Sequence, residues 1–152
     1  MSATNETHPR VLVIHGPNLN TLGTRQPEIY GRMTLAEIND QLRAYATEQG
    51  YEIVAFQSNH EGALIDFLQA EANNSIGIVI NPGGLTHTSV SLRDALAATD
   101  RPIIEVHLSN IHAREPFRHT SYITPISKGQ IAGLGSAGYL YALQSLIELH
   151  KK

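Results

Sequence analysis

An α/β fold, a parallel sheet covered by helices on both faces, follows from three features of this sequence. Five short apolar runs rich in β-branched residues recur, segments of helical period lie between them, and helix-start signals stand at several junctions. Strands that alternate with helices in this way pair in parallel, because parallel neighbours need long crossover connections.

The first run, RVLVIH from Arg10 to His15, has the length and branching of a strand buried on both faces. After it comes HGPNLNTLGTRQPEIYG, His15 to Gly31, which shows no hydrophobic period. A connection this long without structure of its own is either disordered or a functional lid. Leu35, Ile38, Leu42 and Tyr45 then repeat at helical spacing, and Thr34 with Glu37 has the spacing of a capping box. EIVAFQ, Glu52 to Gln57, predicts the second strand; Ser58 with Glu61 repeats the capping spacing ahead of Leu64, Phe67 and Leu68. IGIVIN, Ile76 to Asn81, predicts the third. Pro82-Gly83-Gly84 then forces a turn, and Thr86 or Thr88 is placed to cap a helix carrying Val90, Leu92, Ala95 and Leu96. PIIEVH, Pro102 to His107, and QIAGLG, Gln130 to Gly135, predict the last two strands, and Leu140, Leu143 and Ile147 mark the final helix. With no repeat or linker in view, residues 10–152 read as one domain behind a disordered arm at 1–9.

Composition excludes several classes of function. A chain of 152 residues with net charge -3 and pI near 6.2 has no general field for nucleic acid or an anionic membrane, so a bound anion must meet a local arginine cluster. Without cysteine there is no disulfide, thiolate nucleophile or Cys-ligated metal. No apolar run spans a bilayer, and a cytoplasmic protein is expected.

Ligands of open α/β sheets bind beyond the carboxyl ends of the strands, near the point where strand order reverses. The loops there hold Asn18, Arg25, Tyr30, Asn81, His87, His107, Ser109, Arg114 and Arg118, which read as one site. The first loop has neither dinucleotide nor P-loop glycine spacing, which tells against a nucleotide. Arg25 and Tyr30 are either a solvated charge and a packing residue or a pair in which the cation favours phenolate, the form of a general base. Glu105 and His107 share a face of a regular strand. They form either a structural ion pair or an acid whose imidazole the carboxylate orients. Arg114 and Arg118, four apart across Pro116, suit a carboxylate or a polyhydroxylated anion. His87 falls near a helix start, and Asp94 beside Arg93 reads as a solvated helix charge. His107, His112 and His119 have no metal-ligand spacing.

GPNLNTLGTRQPEIYG, NPGGLTHTSVSLRDAL, IEVHLSNIHAREPFRHTSYI and GLGSAGYLYAL together closely resemble the type II dehydroquinases, in order and spacing from Arg10 to about Leu149. The resemblance implies a flavodoxin-like fold with sheet order 2-1-3-4-5 and a dodecamer built as a tetramer of trimers. It also implies the loss of water from 3-dehydroquinate, giving 3-dehydroshikimate through an enolate, with no cofactor, metal or Schiff base. On that likeness Tyr30 is the base and Arg25 the cation favouring its phenolate. Asn18 holds the water that stabilises the enolate oxygen, and His107 is the acid that Glu105 orients. Asn81, Ser109 and the backbone of Leu108 match the carboxylate contacts, and Arg118 with His87 the ring hydroxyls. Arg114 matches a lid arginine, and Asp94 a residue reaching in from a neighbouring subunit. His15 stands where the family often has Asn, and Gln26 where Glu is common; neither change removes a catalytic group. The only lysines are Lys128, Lys151 and Lys152, of which two lie at the tail, poor placement for a Schiff base.

Two rival readings use the same strand ends. One is a noncatalytic flavodoxin-like module binding flavin or a protein partner; the other is a metal-dependent hydrolase using His87, His107 and His112. Neither accounts for Tyr30 and Arg25 sharing a loop.

Overall fold

The structure is a computed structural model and describes residues 7–152. The first six residues of the expected arm lie outside it; of the remainder, the Pro9 carbonyl already accepts from the amide of Glu52 at 2.9 Å.

Along the chain run β1 (Arg10–His15), α1 (Pro27–Tyr30), α2 (Leu35–Glu48), β2 (Glu52–Gln57) and α3 (Glu61–Glu71). They continue with β3 (Gly77–Asn81), α4 (Val90–Ala98), β4 (Ile103–His107), β5 (Gly129–Ala132) and α5 (Ala137–Lys151). The five strands form one parallel sheet in the order β2-β1-β3-β4-β5, as the resemblance implied. β1, β3 and β4 are buried along nearly their whole length, whereas β2 and β5 are edges and only partly covered.

Strand alternation divides the interior into two cores. Val11, Val13, Val79, Ile104 and Val106 point to one face and pack with Ile38 and Leu42 of α2 and Tyr139, Leu143 and Leu146 of α5. Leu12, Ile14, Ile78, Ile80 and Ile103 point to the other and pack with Leu64 and Leu68 of α3 and Leu92 and Leu96 of α4. Each such aliphatic side chain contributes roughly 1.5–3 kcal/mol when fully buried.

The Thr34 and Glu37 capping box is present at the start of α2, each side chain meeting the other residue's backbone amide. The one expected from Ser58 and Glu61 is not. Ser58 Oγ accepts from the amide of His60, two residues on, so His60 becomes the N-cap, and the Glu61 carboxylate instead accepts from Ser89 Oγ at 2.5 Å. Nor does Thr86 or Thr88 cap α4. A 3-10 turn at Gly83–His87 delays the helix until Ser89, whose Oγ accepts from the amide of Leu92 at 2.9 Å. The delay also leaves Val90 outside the core, 53% exposed, despite its fit to the helical period.

Candidate active site

β1 lies between β2 and β3, so the chain leaves β1 at the point where strand order reverses. Backbone contact locks the loops after β1 and β3 together there. The amide of Gly16 donates to the Asn81 carbonyl at 2.8 Å, and a Cβ on Gly16 would stand 2.3 Å from the Pro82 carbonyl oxygen. Gly83, at φ +60°, approaches the Pro17 carbonyl oxygen in return, at 3.0 Å from its would-be Cβ. Only glycine satisfies both the close approach and the left-handed backbone.

A cavity of about 180 Å³ opens beside this junction. Asn18, Arg25, Tyr30, Asn81, His87, His107, Leu108, Ser109, Arg114 and Arg118 all line it. Glu105 stands behind His107, and Asp94, exposed on α4, is not part of the lining. The lining also includes Pro17, Leu19, Gly83, Gly84 and Ile111, apolar or glycine positions with no chemical signature in the sequence.

Glu105 and His107 share a face, as strand alternation requires, and His107 Nε2 bonds Glu105 Oε2 directly. The carboxylate is fully buried and collects four further donors. Thr124 Oγ1 lies at 2.6 Å, Thr86 Oγ1 at 2.7 Å, Ser121 Oγ at 3.0 Å and Gln130 Nε2 at 3.3 Å. Burial alone would push this carboxyl up; the hydrogen bond and charge of His107, then Thr124 and Thr86, outweigh it and hold the pKa at about 2. The carboxylate is therefore a fixed negative charge. It claims Nε2, so Nδ1 is the His107 nitrogen left for a ligand. Thr86, Ser121, Thr124 and Gln130 were invisible as site residues in the sequence, because hydroxyls and amides scattered over 45 positions carry no spacing.

The loop after β1 carries more regular structure than its sequence suggests. Asn18, in left-handed conformation, starts a 3-10 turn at Leu19–Thr21, and Pro27 at the first helical position starts the single turn of α1 that ends on Tyr30. The Asn18 amide donates to Asn59 Oδ1 at 2.9 Å, tying this loop to the loop after β2. Gln26 is the N-cap of α1 at φ 39°, and its side chain makes no capping bond. Arg25 lies with Cζ 5.0 Å from the centroid of the Tyr30 ring, a cation over the π face. The guanidinium that reaches the Tyr30 hydroxyl belongs instead to Arg114, at 3.2 Å, and the same side chain donates to Ser109 Oγ at 2.9 Å. Two cations thus flank Tyr30, and Arg114 joins the loop after β1 to the loop after β4.

Arg114 and Arg118 do not share a helical face. Pro116 restricts helix to a 3-10 turn at Pro116–Arg118, with Arg114 extended ahead of it. Arg118 is ion-paired with Glu115 at 2.5 Å. His87 Nδ1 donates to the Thr120 carbonyl at 2.8 Å, and its ring stacks 6.3 Å from that of His107. Burial, with the charges of His107 and Arg118, pushes the His87 pKa below its ordinary value against that hydrogen bond. His112 and His119 turn to Gln130 and the Arg114 carbonyl, and no three metal-binding side chains come together among the described residues.

On the other face of the sheet His15 and Asn81 are paired neighbours of β1 and β3. His15 is wholly buried, with Nδ1 2.8 Å from the Tyr139 hydroxyl and Nε2 2.8 Å from Asn39 Oδ1. Burial lowers its pKa from 6.5 to about 4, against the hydrogen bond to Asn39. Because the folded value lies below the unfolded one, the unfolded chain takes up the extra proton in that interval. The stability His15 contributes is intact above about pH 6.5 and is lost as pH falls towards about 4, a change of roughly 3 kcal/mol. Urea midpoints across this interval are expected to fall with pH in the wild type and to fall less steeply in His15→Asn; parallel curves would refute the assignment.

The fold and this arrangement define an α/β protein with a polar cavity, backed by a buried carboxylate–imidazole pair, at a topological switch point. The chain belongs to the dehydroquinase class II family, whose model matches residues 9–147. It is 62% identical over 138 residues to the 3-dehydroquinate dehydratase of Roseiflexus castenholzii, covering 91% of this chain and 88% of that one. The 3-dehydroquinate dehydratase of Halothermothrix orenii is 55% identical over 143 residues, covering 94% and 97%. The crystal structure of type II dehydroquinase from Butyrivibrio crossotus superposes with a TM-score of 0.89 at 46% identity, over 91% of this chain and 97% of that one.

Proposed function

We propose that this chain is a 3-dehydroquinate dehydratase acting by proton abstraction and β-elimination. The observation that carries the reading is the placement of Tyr30, between Arg25 and Arg114, on a lid that shares one cavity with the Glu105–His107 pair. Tyr30 takes a proton from the carbon beside the ketone, and the electron pair moves to the ketone oxygen as an enolate. Asn18 holds a water against that oxygen, the role of an oxyanion hole. When the enolate collapses, the carbon–oxygen bond to the β-hydroxyl breaks, and His107 supplies the proton with which it leaves as water. Glu105, kept ionised, stabilises the imidazolium before that transfer and fixes the ring orientation.

Asn81, Ser109 and the backbone of Leu108 bind the substrate carboxylate; His87 and Arg118 bind ring hydroxyls, Arg118 turning from Glu115 to do so. Arg114 closes the lid and excludes water. No lysine lines the cavity, so a Schiff base has no amine there. The reaction needs no cofactor, and residues 10–152 act as one catalytic domain in the cytoplasm. No helix among the described residues is long and apolar enough to cross a membrane.

The test is the ultraviolet signal of the conjugated enone on adding 3-dehydroquinate to protein pretreated with chelator and borohydride. Rapid product formation is expected. Folded protein that forms no product would overturn the reading in favour of a noncatalytic module. We further propose a dodecamer in which Asp94, exposed on α4, completes a neighbouring copy's site. A folded monomer is therefore expected to lose activity, and full activity at a monomer's sedimentation coefficient would contradict this.

A further inference from the structure

We infer that the segment from Ser121 to Thr124, zipped to the 3-10 turn at Gly83–His87, cages the Glu105 carboxylate with donors and so acts as a positioning device that reserves the His107 proton for the substrate. The inference rests on the reading of His107 as the acid. Its parts come from distant places in the chain: Thr86 from the turn after β3, Ser121 and Thr124 from the long connection after β4, and Gln130 from β5.

The direction of each bond follows from what the oxygen already accepts. Ser121 Oγ accepts from the amides of Ile123 at 3.0 Å and Thr124 at 3.1 Å, which occupies both lone pairs and leaves its proton for Glu105, 3.0 Å from each carboxylate oxygen. Thr124 Oγ1 accepts from Gln130 Nε2 at 2.8 Å and gives its own proton to Glu105 Oε1 at 2.6 Å. Thr86 Oγ1, 2.8 Å from Ser121 Oγ, finds no free lone pair there and donates to Glu105 Oε2 at 2.7 Å. The Gln130 amide cannot be reversed without turning its oxygen on the carboxylate, and His112 Nε2 meets that oxygen at 3.4 Å on the other side. Backbone holds the assembly in place: the Tyr122 amide donates to the Thr86 carbonyl at 2.8 Å, and His87 Nδ1 donates to the Thr120 carbonyl at 2.8 Å. Ile123, fully buried against the α3 and α4 core, pins the segment from behind.

A carboxylate beside an imidazolium can take its proton, which leaves a neutral carboxylic acid and a neutral imidazole, a far weaker acid. Burial favours that neutral pair, because it removes two desolvated charges. Here donors already meet both carboxylate oxygens, so a proton arriving at Glu105 would displace one of them and leave it unpaired in the interior. The ion pair is therefore the lower state, and the Nδ1 proton of the imidazolium stays available to the departing hydroxyl. Removing one donor makes Glu105 more basic and draws the pair towards its neutral form.

The experiment is steady-state kinetics on 3-dehydroquinate, with urea midpoints, for Ser121→Ala, Thr124→Val and Thr124→Ser, the first two also in a Glu105→Gln background. Ser121→Ala and Thr124→Val are each expected to lower kcat about tenfold with KM within about twofold of wild type. Thr124→Ser, which keeps the hydroxyl, is expected to recover most of what Thr124→Val loses. In the Glu105→Gln background neither is expected to lower kcat further, because the charge they serve is gone. A purely structural role would lower the urea midpoint and leave kcat at saturating substrate alone. An unchanged kcat in either variant, a Thr124→Ser as slow as Thr124→Val, or losses that add in full to that of Glu105→Gln would overturn the cage, while wild-type turnover keeps the dehydration reading in place. Should Ser121→Ala fail to fold, the two Thr124 variants decide by themselves. A folded wild type without turnover would strike the dehydration reading and the cage with it.

Discussion

Tyr30→Phe is expected to lower kcat by at least about 10²–10⁴-fold while product binds within a few-fold of wild type. The change deletes one oxygen from a half-buried side chain at the end of α1 and, with it, the 3.2 Å bond from Arg114 that joins this loop to the one after β4. Arg114 keeps its bond to Ser109 at 2.9 Å, and Arg25 keeps an aromatic face beneath it, since the phenylalanine ring carries the same quadrupole. What disappears is the oxygen proposed to take the proton. Single-turnover kinetics with product titration on the same preparation separates chemistry from binding. Near-normal turnover would remove Tyr30 from the mechanism; equal losses of turnover and binding would point to a misplaced lid.

Glu105→Gln is the second large effect. It is nearly isosteric, but the carboxylate accepts from five side chains, and an amide must aim its NH2 at some of them. Threonine and serine hydroxyls can rotate; Gln130 Nε2 and His107 Nε2 cannot become acceptors without an amide flip or a change of tautomer. His107 then either loses its orientation or holds its hydrogen on the wrong nitrogen, and the imidazolium loses its counter-charge. A fall in kcat of about 10²–10⁴-fold is expected, with KM changed far less. The wild type loses the stability linked to this carboxylate only as pH falls from about 4.5 to about 2, so Glu105→Gln is expected to flatten acid unfolding in that window. A kcat near wild type, or an unaltered acid limb, would show that Glu105 serves packing alone.

The strands were legible because aliphatic runs bounded by glycine, proline and asparagine leave little choice, and the β1, β3 and β4 runs are within a residue of their observed limits. Helix starts were less so. Ser58 and Thr86 have the chemistry of caps, yet one serves a local turn and the other the buried Glu105, and spacing cannot distinguish those partners. Arg25 was the natural partner for Tyr30 because it is close in sequence. Arg114, 84 positions away, reaches the hydroxyl instead, a contact that only the sheet order creates. The bond between His15 and Tyr139 was hidden for the same reason: nothing in a helix of leucines and alanines marks a hydroxyl 124 positions from its histidine.

The single layer of strands also acts as a partition. Asn81 leans on the α2 and α5 side, whereas Glu105 and His107 lean on the α3 and α4 side together with the 3-10 turn at Gly83–His87. On the proposed roles, the carboxylate contact through Asn81 and the orientation of His107 are therefore anchored in packing on opposite faces of the sheet. Drift in one can adjust recognition without detuning the acid, which leaves this small enzyme two nearly independent dials within one fold.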